Sequence, residues 1–504
     1  MASAYPMQVS LASTPGTRVL FLDLLEVAEL RNARLVVNEA VKHPANPVIR
    51  TGNLGEWDSL HAVTWHGTVM WDDEERLFKA WYMGLDAAEM GRMQTRTGYA
   101  VSPDGVAWEK PSLGVVEYKG SHRNNLVIDI APAKAMGPAL KDPGDPDPAR
   151  RYKLFLWDDR WNIEIWNAPD GIHFTREGKP CLRSKVLPDG SRARLPDPEV
   201  WFDFHQCLYD QQELDPQRRY KCYGQISEAR GAWNIRKGGM AYGPDPWTWT
   251  RSAHNPVIDP DDGEESQNHY VSVLPYHGYY LMLYEFGWLE PVYGAYVGDI
   301  RLAVSRDGEH FRRVNPHQPL VRRGSKGDWD GAFMVTSSDV VVHDGELWIY
   351  YAGNSEVWKN WPRENMRGAL LSSGSVYPSQ TGLAQLPLDG FTDVESLDRE
   401  MPGVITTIAI AAAPKPCALE VSVSQTLPGR SWVDVEVLRA DGETLPGFDR
   451  AACRHVWSDG ADRPVIWDKQ RALPASTEVA EFRLRFWTYG AAKLHAYAFT
   501  TVPG

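Results

Sequence analysis

The sequence has few cysteines and no cysteine motif. Five occur in 504 residues, none in a Cys-x-x-Cys pair: Cys181, Cys207, Cys222, Cys417 and Cys453. A sparse, odd-numbered set is typical of reduced, structural thiols. It argues against a disulfide framework and against a zinc site built on cysteines.

Long apolar segments and an excess of positive charge are also absent. The most apolar run, residues 404–414, is too short to cross a bilayer. The first residues show no basic region followed by an apolar run, so no signal peptide is predicted. A formal net charge of −13 disfavours phosphate-rich partners. We therefore expect a cytoplasmic protein that binds neither nucleic acid nor a membrane.

Three well-known catalytic motifs are missing. The sequence has no Gly-x-Ser-x-Gly elbow and no His-Glu-x-x-His helix, and Gly324-Ser325-Lys326-Gly327 lacks the spacing of a phosphate-binding loop. The acidic segments 144–148 and 259–262 are interpreted as plain turns and not as calcium loops. The sequence predicts no metal and no cofactor.

What the sequence does contain is turns and aromatic residues in a repeated unit, with 42 Gly, 36 Pro and 21 Trp. The clearest copy spans residues 327–353, where Asp344-Gly345 separates two apolar runs. Asp-Gly between apolar runs is a strong hairpin signal. The second strand of this hairpin is expected five times, starting at Phe78, Tyr152, Tyr220, Tyr279 and Leu347.

The repeat also has a third strand and a closing turn. Four copies end in related turns that contain an Asp followed by an aromatic residue: 101–108, 168–174, 242–249 and 304–311. A repeat of roughly 60–75 residues with three or four strands cannot bury its faces alone. Five such copies predict radial closure into a β-propeller.

The strand pattern divides the chain into three parts. Residues 1–50 are interpreted as a lead-in that packs on the propeller, with a ring-closing strand at 19–23 and helical spacing from Leu24 to Val36. Residues 51–395 form the predicted propeller. Residues 408–504 alternate polar and apolar side chains, as in Leu419-Glu420-Val421-Ser422-Val423, which predicts a β-sandwich. The predicted fold is all-β: a five-bladed β-propeller followed by a C-terminal β-sandwich.

Acidic residues precede or flank the hairpin of every repeat. They are Asp58, Asp142, Glu199, Asp203, Glu264, Glu265 and Asp330. If they converge on one axis, mutual repulsion would raise the pKa of some of them, as a proton donor requires. Two carboxyl groups in unlike environments are what glycoside hydrolysis needs. Neighbouring side chains expected to bind the sugar are Trp57, Trp201, His205, His269 and Trp329, together with Asp330.

These motifs resemble the five-bladed propeller glycosidases of glycoside hydrolase families 32, 43, 68 and 130. The resemblance rests on Trp57-Asp58, on Lys141-Asp142-Pro143, which is similar to the Arg-Asp-Pro motif of fructan-active members, and on the Ser-x-Asp-Gly-x-x-Trp/Phe turns. The predicted C-terminal sandwich is similar to the architecture of family 32.

The resemblance implies roles for four acids. Asp58 would be the nucleophile or base and Asp142 the transition-state stabiliser, with the proton donor supplied by Glu199 or Asp203. Two motif positions depart from the family pattern: Asn-Asp-Pro-Asn is absent around Asp58, and Glu199 is not followed by Cys. Glu265 and Glu285 are fallback acids.

Three functions follow as expectations. The first is a glycoside hydrolase that cleaves a glycosidic bond, furanosidic bonds included, of a small or oligomeric carbohydrate. The alternatives are a glycoside phosphorylase of the family 130 type and a non-catalytic carbohydrate-binding propeller. A carbohydrate is the expected partner in each case, and self-association is left open.

Overall fold

The computed structural model describes residues 10–92, 94–129, 137–158, 160–201, 203–230, 233–260, 265, 267–290, 295–355, 378–468 and 470–502. Its regular elements are strands and three short 3-10 helices, Ala87–Arg92, Pro148–Arg150 and Pro216–Arg218. The all-β prediction is therefore confirmed. No described helix is long and apolar enough to cross a membrane. The chain divides into two compact units, one of residues 39–386 and one of residues 1–38 with 387–504.

The first unit is built from five antiparallel groups of four strands, called the first to fifth blades. The first blade contains His61–Asp72, Leu77–Leu85, Arg96–Ser102 and Leu126–Ile128. The second contains Ala139–Lys141, Tyr152–Trp157, Ile163–Ala168 and Thr175–Leu182. The third contains Asp203–Tyr209, Tyr220–Arg230, Trp233–Asp245 and Thr248–Arg251. The fourth contains Val271–Tyr276, Tyr279–Glu290, Ala295–Ser305 and Arg312–Arg313, and the fifth contains Phe333–His343, Glu346–Asn354, Ser379–Pro387 and Val41–Lys42.

The blades form a closed ring. The first strand of each blade contacts the first strands of the blades before and after it, and the fifth blade contacts the first. This is the arrangement of a β-propeller, in which the first strands surround the central axis. Side chains at the axis therefore come from positions far apart in the sequence.

The Asp-Gly turns join neighbouring blades. The carboxylates of Asp104, Asp170 and Asp307 each accept hydrogen bonds from two amides of their own turn. The glycine that follows has a positive φ, between 70° and 78°, and its carbonyl accepts a hydrogen bond from an aromatic side chain of the preceding blade. The three bonds are Tyr350 to Gly105, Trp81 to Gly171 and Tyr223 to Gly308. The first of them joins the fifth blade to the first.

A short N-terminal strand completes the last blade. Val41 and Lys42 pair antiparallel with Gln385 and Ala384. The prediction that residues 19–23 close the ring is wrong, because Arg18–Leu20 pairs with Lys493–Thr501 in the other unit. The closing strand is two residues long, which is too short to give an alternating pattern in the sequence.

The second unit contains two six-stranded sheets that share one core. One sheet contains Leu11–Ala12, Ile410–Ala411, Glu481–Thr488, Gly403–Thr407, Val27–Arg31 and Val433–Leu438. The other contains Gly460–Pro464, Cys417–Ser424, Lys493–Thr501, Thr392–Ser396, Ala33–Val37 and Arg18–Leu20. Phe486 and Val435 of the first sheet lie in the same buried cluster as Tyr497 and Val421 of the second. Two sheets around one core form a β-sandwich.

The N-terminal segment belongs to this sandwich and is not a lead-in to the propeller. Its strands pair with strands from the C-terminal residues, which moves the unit boundaries from the predicted 50 and 395 to 38 and 387. The helix expected from Leu24 to Val36 is absent. Two strands occupy that segment, separated by Asn32 with φ 47° and a side-chain bond to the Met401 carbonyl. Pairing with partners distant in sequence outweighs the local helical spacing.

Candidate active site at the propeller axis

Asp58 and Asp330 occupy equivalent buried positions ahead of the first strands of their blades. Asp58 accepts a hydrogen bond from the Tyr82 hydroxyl at 2.8 Å and pairs with Lys110 at 2.6 Å. Asp330 does the same with the Tyr351 hydroxyl at 2.9 Å and Lys42 at 2.5 Å. Each carboxylate is matched by a cation and a phenol. Because the arrangement recurs in two blades, it suits a blade-stabilising role better than a unique catalytic one.

The predicted sugar-stacking tryptophans pack inside their own blades. Trp57 is 3% exposed and lies over Gly84 and Gly98, where a Cβ would come within 2.3 Å of its ring. Trp329 covers Gly353 and Gly382 and stacks on Tyr351 at 5.7 Å. Trp201 is 1% exposed and lies over Gly224. Glycine lets these rings approach the sheet, and their faces are used in the fold.

Asp142 lies at the opposite end of the first strands from Asp58. It follows the strand Ala139–Lys141, whereas Asp58 precedes the strand His61–Asp72. It pairs with Lys153 at 2.8 Å and accepts a 2.6 Å hydrogen bond from the Tyr220 hydroxyl of the third blade. The structure therefore does not bring Asp58 and Asp142 together.

The triad around Asp142 occurs three times. Its members are an Asp after or at the end of a first strand, a Lys in the second strand of the same blade and a Tyr of the next blade. The copies are Asp72-Lys79-Tyr152, Asp142-Lys153-Tyr220 and Asp210-Lys221-Tyr280. Burial raises the pKa of Asp72, but hydrogen bonds from Lys141, Lys79 and Tyr152 outweigh it and lower that pKa. The triad holds adjacent blades together.

The other predicted acids differ in exposure. The side chain of Glu199 is 62% exposed and lies 3.4 Å from Lys185. Glu265 is buried, pairs with Arg313 at 2.5 Å and accepts a hydrogen bond from Asn268. Glu285 is buried and accepts a 2.6 Å hydrogen bond from the His269 amide. Glu264 lies outside the described residues.

Three first strands are interrupted by β-bulges where they pass the axis. The pairing is irregular between Val63 and Thr68, between Phe204 and Gln206, and between Thr336 and Val340. Such bulges redirect side chains and occur often beside active sites. They carry His66, His205 and Asp339. His66 has a φ of 55°, a conformation that is costly for a side chain larger than glycine.

These bulges bring together a cluster of rings at the axis. His66 lies 5.3 Å from both His205 and Tyr270, and His205 stacks on Tyr270 at 4.0 Å, measured between ring centroids. The second blade adds Trp157, 5.5 Å from His66. The fifth blade adds Ser338, whose hydroxyl donates to the His205 carbonyl at 2.6 Å. All five blades therefore contribute to the axial cluster.

Asp203 is the predicted acid that lies in this cluster. Ligand atoms of His66, Asp203 and His205 lie within 4.8 Å of one another. Among the described residues, the Asp203 carboxylate has no hydrogen-bonding or ion-pairing partner, and Asp203 is half-buried. His205 also has its Nε2 buried without a hydrogen-bond partner there. Burial, then the nearby His66, lowers the pKa of His205 well below its usual value, so the ring is neutral at pH 7.

Aromatic and cationic groups lie around the axial cluster. Trp65 is half-buried, stacks on His66 at 5.8 Å and meets the His269 ring edge-on at 5.5 Å. Arg192 lies over the Trp161 ring at 4.7 Å and is close enough to Asp203 for the carboxylate to act on its pKa. Burial, then the charge of Arg236, lowers the pKa of His269 well below its usual value. An aromatic face beside a carboxylate and an arginine is a chemical environment suited to a carbohydrate.

A second acid, Asp339, lies in the fifth-blade bulge. It accepts a 3.1 Å hydrogen bond from the Gln206 amide, which also donates to the Val273 carbonyl at 2.8 Å. Burial raises the pKa of Asp339 to about 6, and hydrogen bonds from Gln206 and Thr68 limit the rise. Both Asp339 and Asp203 act electrostatically on Tyr270. Asp339 therefore keeps its proton to a higher pH than an ordinary carboxyl group.

Sequence reasoning did not select His66, Trp65 or Asp339. The sequence does contain a signal for the segment with Trp65 and His66. Gly67 follows His66 inside an apolar strand, and an isolated glycine in a strand often marks a bulge. For Asp339 the signal is the polar run Ser337-Ser338-Asp339 inside an otherwise apolar strand.

Comparison with known proteins finds similar solved structures but no relative by sequence. No family model matches the chain, and no curated protein matches it. Similar solved structures include a protein described with the GH130 family of mannoside phosphorylases, which contains glycoside hydrolases that target β-1,2-mannosidic linkages in Candida mannan. It is 15% identical with a TM-score of 0.44, covering 70% of this chain and 94% of that chain.

Two further similar structures are enzymes. A thermostable family-43 glycoside hydrolase is 13% identical with a TM-score of 0.43, covering 71% of this chain and 96% of that chain. An N-acetylgalactosamine deacetylase from F. plautii, in complex with blood group B trisaccharide, is 13% identical with a TM-score of 0.43, covering 72% and 97%. At these values the likeness assigns neither reaction nor substrate to this chain.

Proposed function

We propose that this protein is a carbohydrate-active hydrolase that cleaves a glycosidic bond at the propeller axis. The observation that carries the proposal is the convergence of Asp203, His66 and His205 from two blades, with the Asp203 carboxylate unpaired among the described residues. A buried or half-buried charge without a partner is costly, and such groups concentrate at functional sites.

Asp203 is the proposed reacting carboxylate. Glycoside hydrolysis uses a second carboxyl group that stays protonated near neutral pH. Asp339 supplies the property that this role needs, since its pKa is raised to about 6. Trp65 offers a partly exposed indole face to the sugar, and Arg192 offers a hydrogen-bond donor to its hydroxyls.

The proposal reassigns the acids selected from the sequence. Asp58, Asp142 and Asp330 are each held by a lysine and a tyrosine, so we assign them to blade stability. The side chain of Glu199 is 62% exposed and lies 3.4 Å from Lys185, so we assign it to the surface and not to the site. Asp203, His205 and His269 remain in the site.

The test is turnover of a panel of aryl glycosides and oligosaccharides by purified variants. We expect Asp203→Asn to lower kcat/KM at least about a hundredfold on the substrate that the wild type cleaves, because a group in direct contact with the reacting atoms is removed. Asp189→Asn, an exposed acid bonded to Ser191, is the matched control and should leave activity unchanged. Full activity of folded Asp203→Asn would refute the assignment.

A glycoside phosphorylase is the second candidate. Two arginines lie near the axial cluster, since Arg192 interacts with Asp203 and Arg236 with His269. Guanidinium groups of this kind can hold a phosphate ion. Turnover that requires inorganic phosphate and releases a sugar phosphate would support this reaction over hydrolysis. Sugar binding without turnover across the panel would instead indicate a non-catalytic binding propeller.

A further inference from the structure

We propose that His66, Asp203 and His205 bind one divalent transition-metal ion at the propeller axis. The proposal rests on the proposed function and adds a cofactor class to the same cluster: with an ion bound, Asp203 would act on the substrate through the ion that it helps to hold, and not as a free carboxylate. The two imidazoles and the carboxylate come from bulged strands of the first and third blades, so the fold itself brings them together.

The spacing of the three groups suits a metal after a small adjustment. Their ligand atoms lie within 4.8 Å of one another. Nitrogen and oxygen ligands sit about 2.0–2.2 Å from a zinc-like ion, which places neighbouring ligands roughly 3–4 Å apart. The three groups are thus roughly 1 Å further apart than a bound ion requires, and binding would draw the side chains together.

The hydrogen bonding of His66 leaves one ring nitrogen available for coordination. Its Nδ1 lies 3.3 Å from the Phe204 carbonyl, which can only accept, so Nδ1 carries the proton and Nε2 carries the lone pair. The Tyr270 hydroxyl is 2.9 Å from the His66 amide and helps to fix the left-handed backbone there. A backbone carbonyl on the far nitrogen is the usual support of a metal-binding histidine.

His205 gains a partner by binding the ion. The residue is 1% exposed, and its Nε2 is buried without a hydrogen-bond partner among the described residues. An unsatisfied buried polar atom of this kind destabilises the folded state. Coordination through Nε2 places the ring proton on Nδ1 and would therefore break the hydrogen bond that Nδ1 accepts from the Val271 amide. At 3.4 Å that bond is long and therefore weak.

The donor set selects the class of metal. Two neutral imidazoles and one carboxylate favour Zn²⁺, Co²⁺, Mn²⁺ or Fe²⁺, whereas Ca²⁺ and Mg²⁺ prefer oxygen ligands throughout. Three protein ligands leave at least one position for a water molecule or a sugar oxygen. Trp65 stacks on His66 at 5.8 Å and is an aromatic neighbour of the cluster.

The test is a Co²⁺ titration of the full-length protein after chelator treatment, followed by visible d–d absorption and by calorimetry. We expect one equivalent of Co²⁺ to bind, with Zn²⁺ competing for the same position. Asp203→Asn and His205→Gln should each weaken binding at least about tenfold. Matched controls are Asp189→Asn and the exposed His173→Gln, which should bind like the wild type.

Two outcomes overturn the metal site: no stoichiometric binding, or binding that Asp203→Asn leaves unchanged. Asp203→Asn keeps the test valid if a histidine variant fails to fold, because Asp203 is half-buried and bonded to no described residue. Failure of the metal site and of the proposed function are distinguishable. Glycoside cleavage at full rate in chelator, without Co²⁺ bands, refutes the metal alone, whereas Co²⁺ binding without cleavage of any glycoside refutes the function alone.

Discussion

At the residue scale, the groups beside a carboxylate decide its role in the propeller. Asp142 has Lys153 at 2.8 Å and Tyr220 at 2.6 Å, in an environment closed to water. Asp203 has His66 and His205 near it and no ion pair among the described residues. The same side chain is therefore a structural element in one place and a reactive group in the other.

Asp142→Asn is expected to destabilise the protein by about 2 kcal/mol, because it leaves Lys153 with one carboxylate fewer in a buried site. The loss stays moderate because Asp145 remains 2.9 Å from Lys153. Asp203→Asn should not destabilise, since it removes an unpaired charge. Urea unfolding of both variants measures the difference. Equal stability of Asp142→Asn and the wild type would contradict the structural role.

Asp339 makes stability depend on pH in the acidic range. Its pKa is raised to about 6 in the folded state, so the folded protein holds this proton more tightly than the unfolded chain. Its contribution is most favourable below the unfolded pKa and is lost as pH rises towards about 6. We expect a decline on the order of 2 kcal/mol from this group, which Asp339→Asn abolishes. Urea unfolding of both proteins at about pH 4 and pH 7 checks this, and parallel pH profiles would disprove it.

The role of an aspartate could be predicted from the sequence where its partners are near in the chain, and could not where they are distant. Asp104 and Gly105 could be assigned to a turn from sequence because the amides that Asp104 binds are two and three residues away. Asp142 could not be assigned, because Tyr220 lies 78 residues further along the chain. A motif that resembles a catalytic one can equally belong to a hydrogen-bonded triad with a member far along the chain.

At the scale of elements, glycines in the blades determine how closely the tryptophans ahead of the first strands pack on the sheets. Trp57 lies over Gly84 and Gly98, and its indole donates to the Asn125 side chain at 2.9 Å. The ring also lies 5.3 Å from Tyr82, which in turn holds Asp58. These contacts fix the segment with Trp57 and Asp58, which precedes the strand His61–Asp72, against the later strands of the first blade.

Gly84→Ala is expected to destabilise the first blade by about 3 kcal/mol, because a Cβ there would lie 2.0 Å from a ring carbon of Trp57. In a Trp57→Phe background the clash is smaller, so the alanine should cost less. A double-mutant cycle of unfolding free energies measures the coupling. Additive effects would show that the indole is not the obstacle.

At the scale of the whole molecule, the chain begins and ends in one sandwich and builds the propeller in between. Phe21 lies 6.1 Å from Phe486 and 5.9 Å from Tyr497, in a core shared by both sheets. Sequence periodicity found the C-terminal strands but not this connection. The pairing of Arg18–Leu20 with Lys493–Thr501 joins segments that carry no mutual signal in a single sequence.

Phe21→Ala is expected to destabilise the sandwich by about 3–5 kcal/mol, because it opens a cavity among fully buried rings. Hydrogen exchange should show lost amide protection in the strands Cys417–Ser424 and Lys493–Thr501, with Leu77–Leu85 of the propeller less affected. Unchanged protection in the C-terminal strands would contradict the shared core.

In the sequence, residues 39–386 lie between the two segments that form the sandwich, and this order has a consequence for biosynthesis. The strands Val27–Arg31 and Ala33–Val37 are translated more than 350 residues before their partners Gly403–Thr407 and Thr392–Ser396. Until then the nascent chain carries unpaired strand edges, which are prone to aggregation. The sandwich therefore cannot be completed before residues 392–407 have been translated.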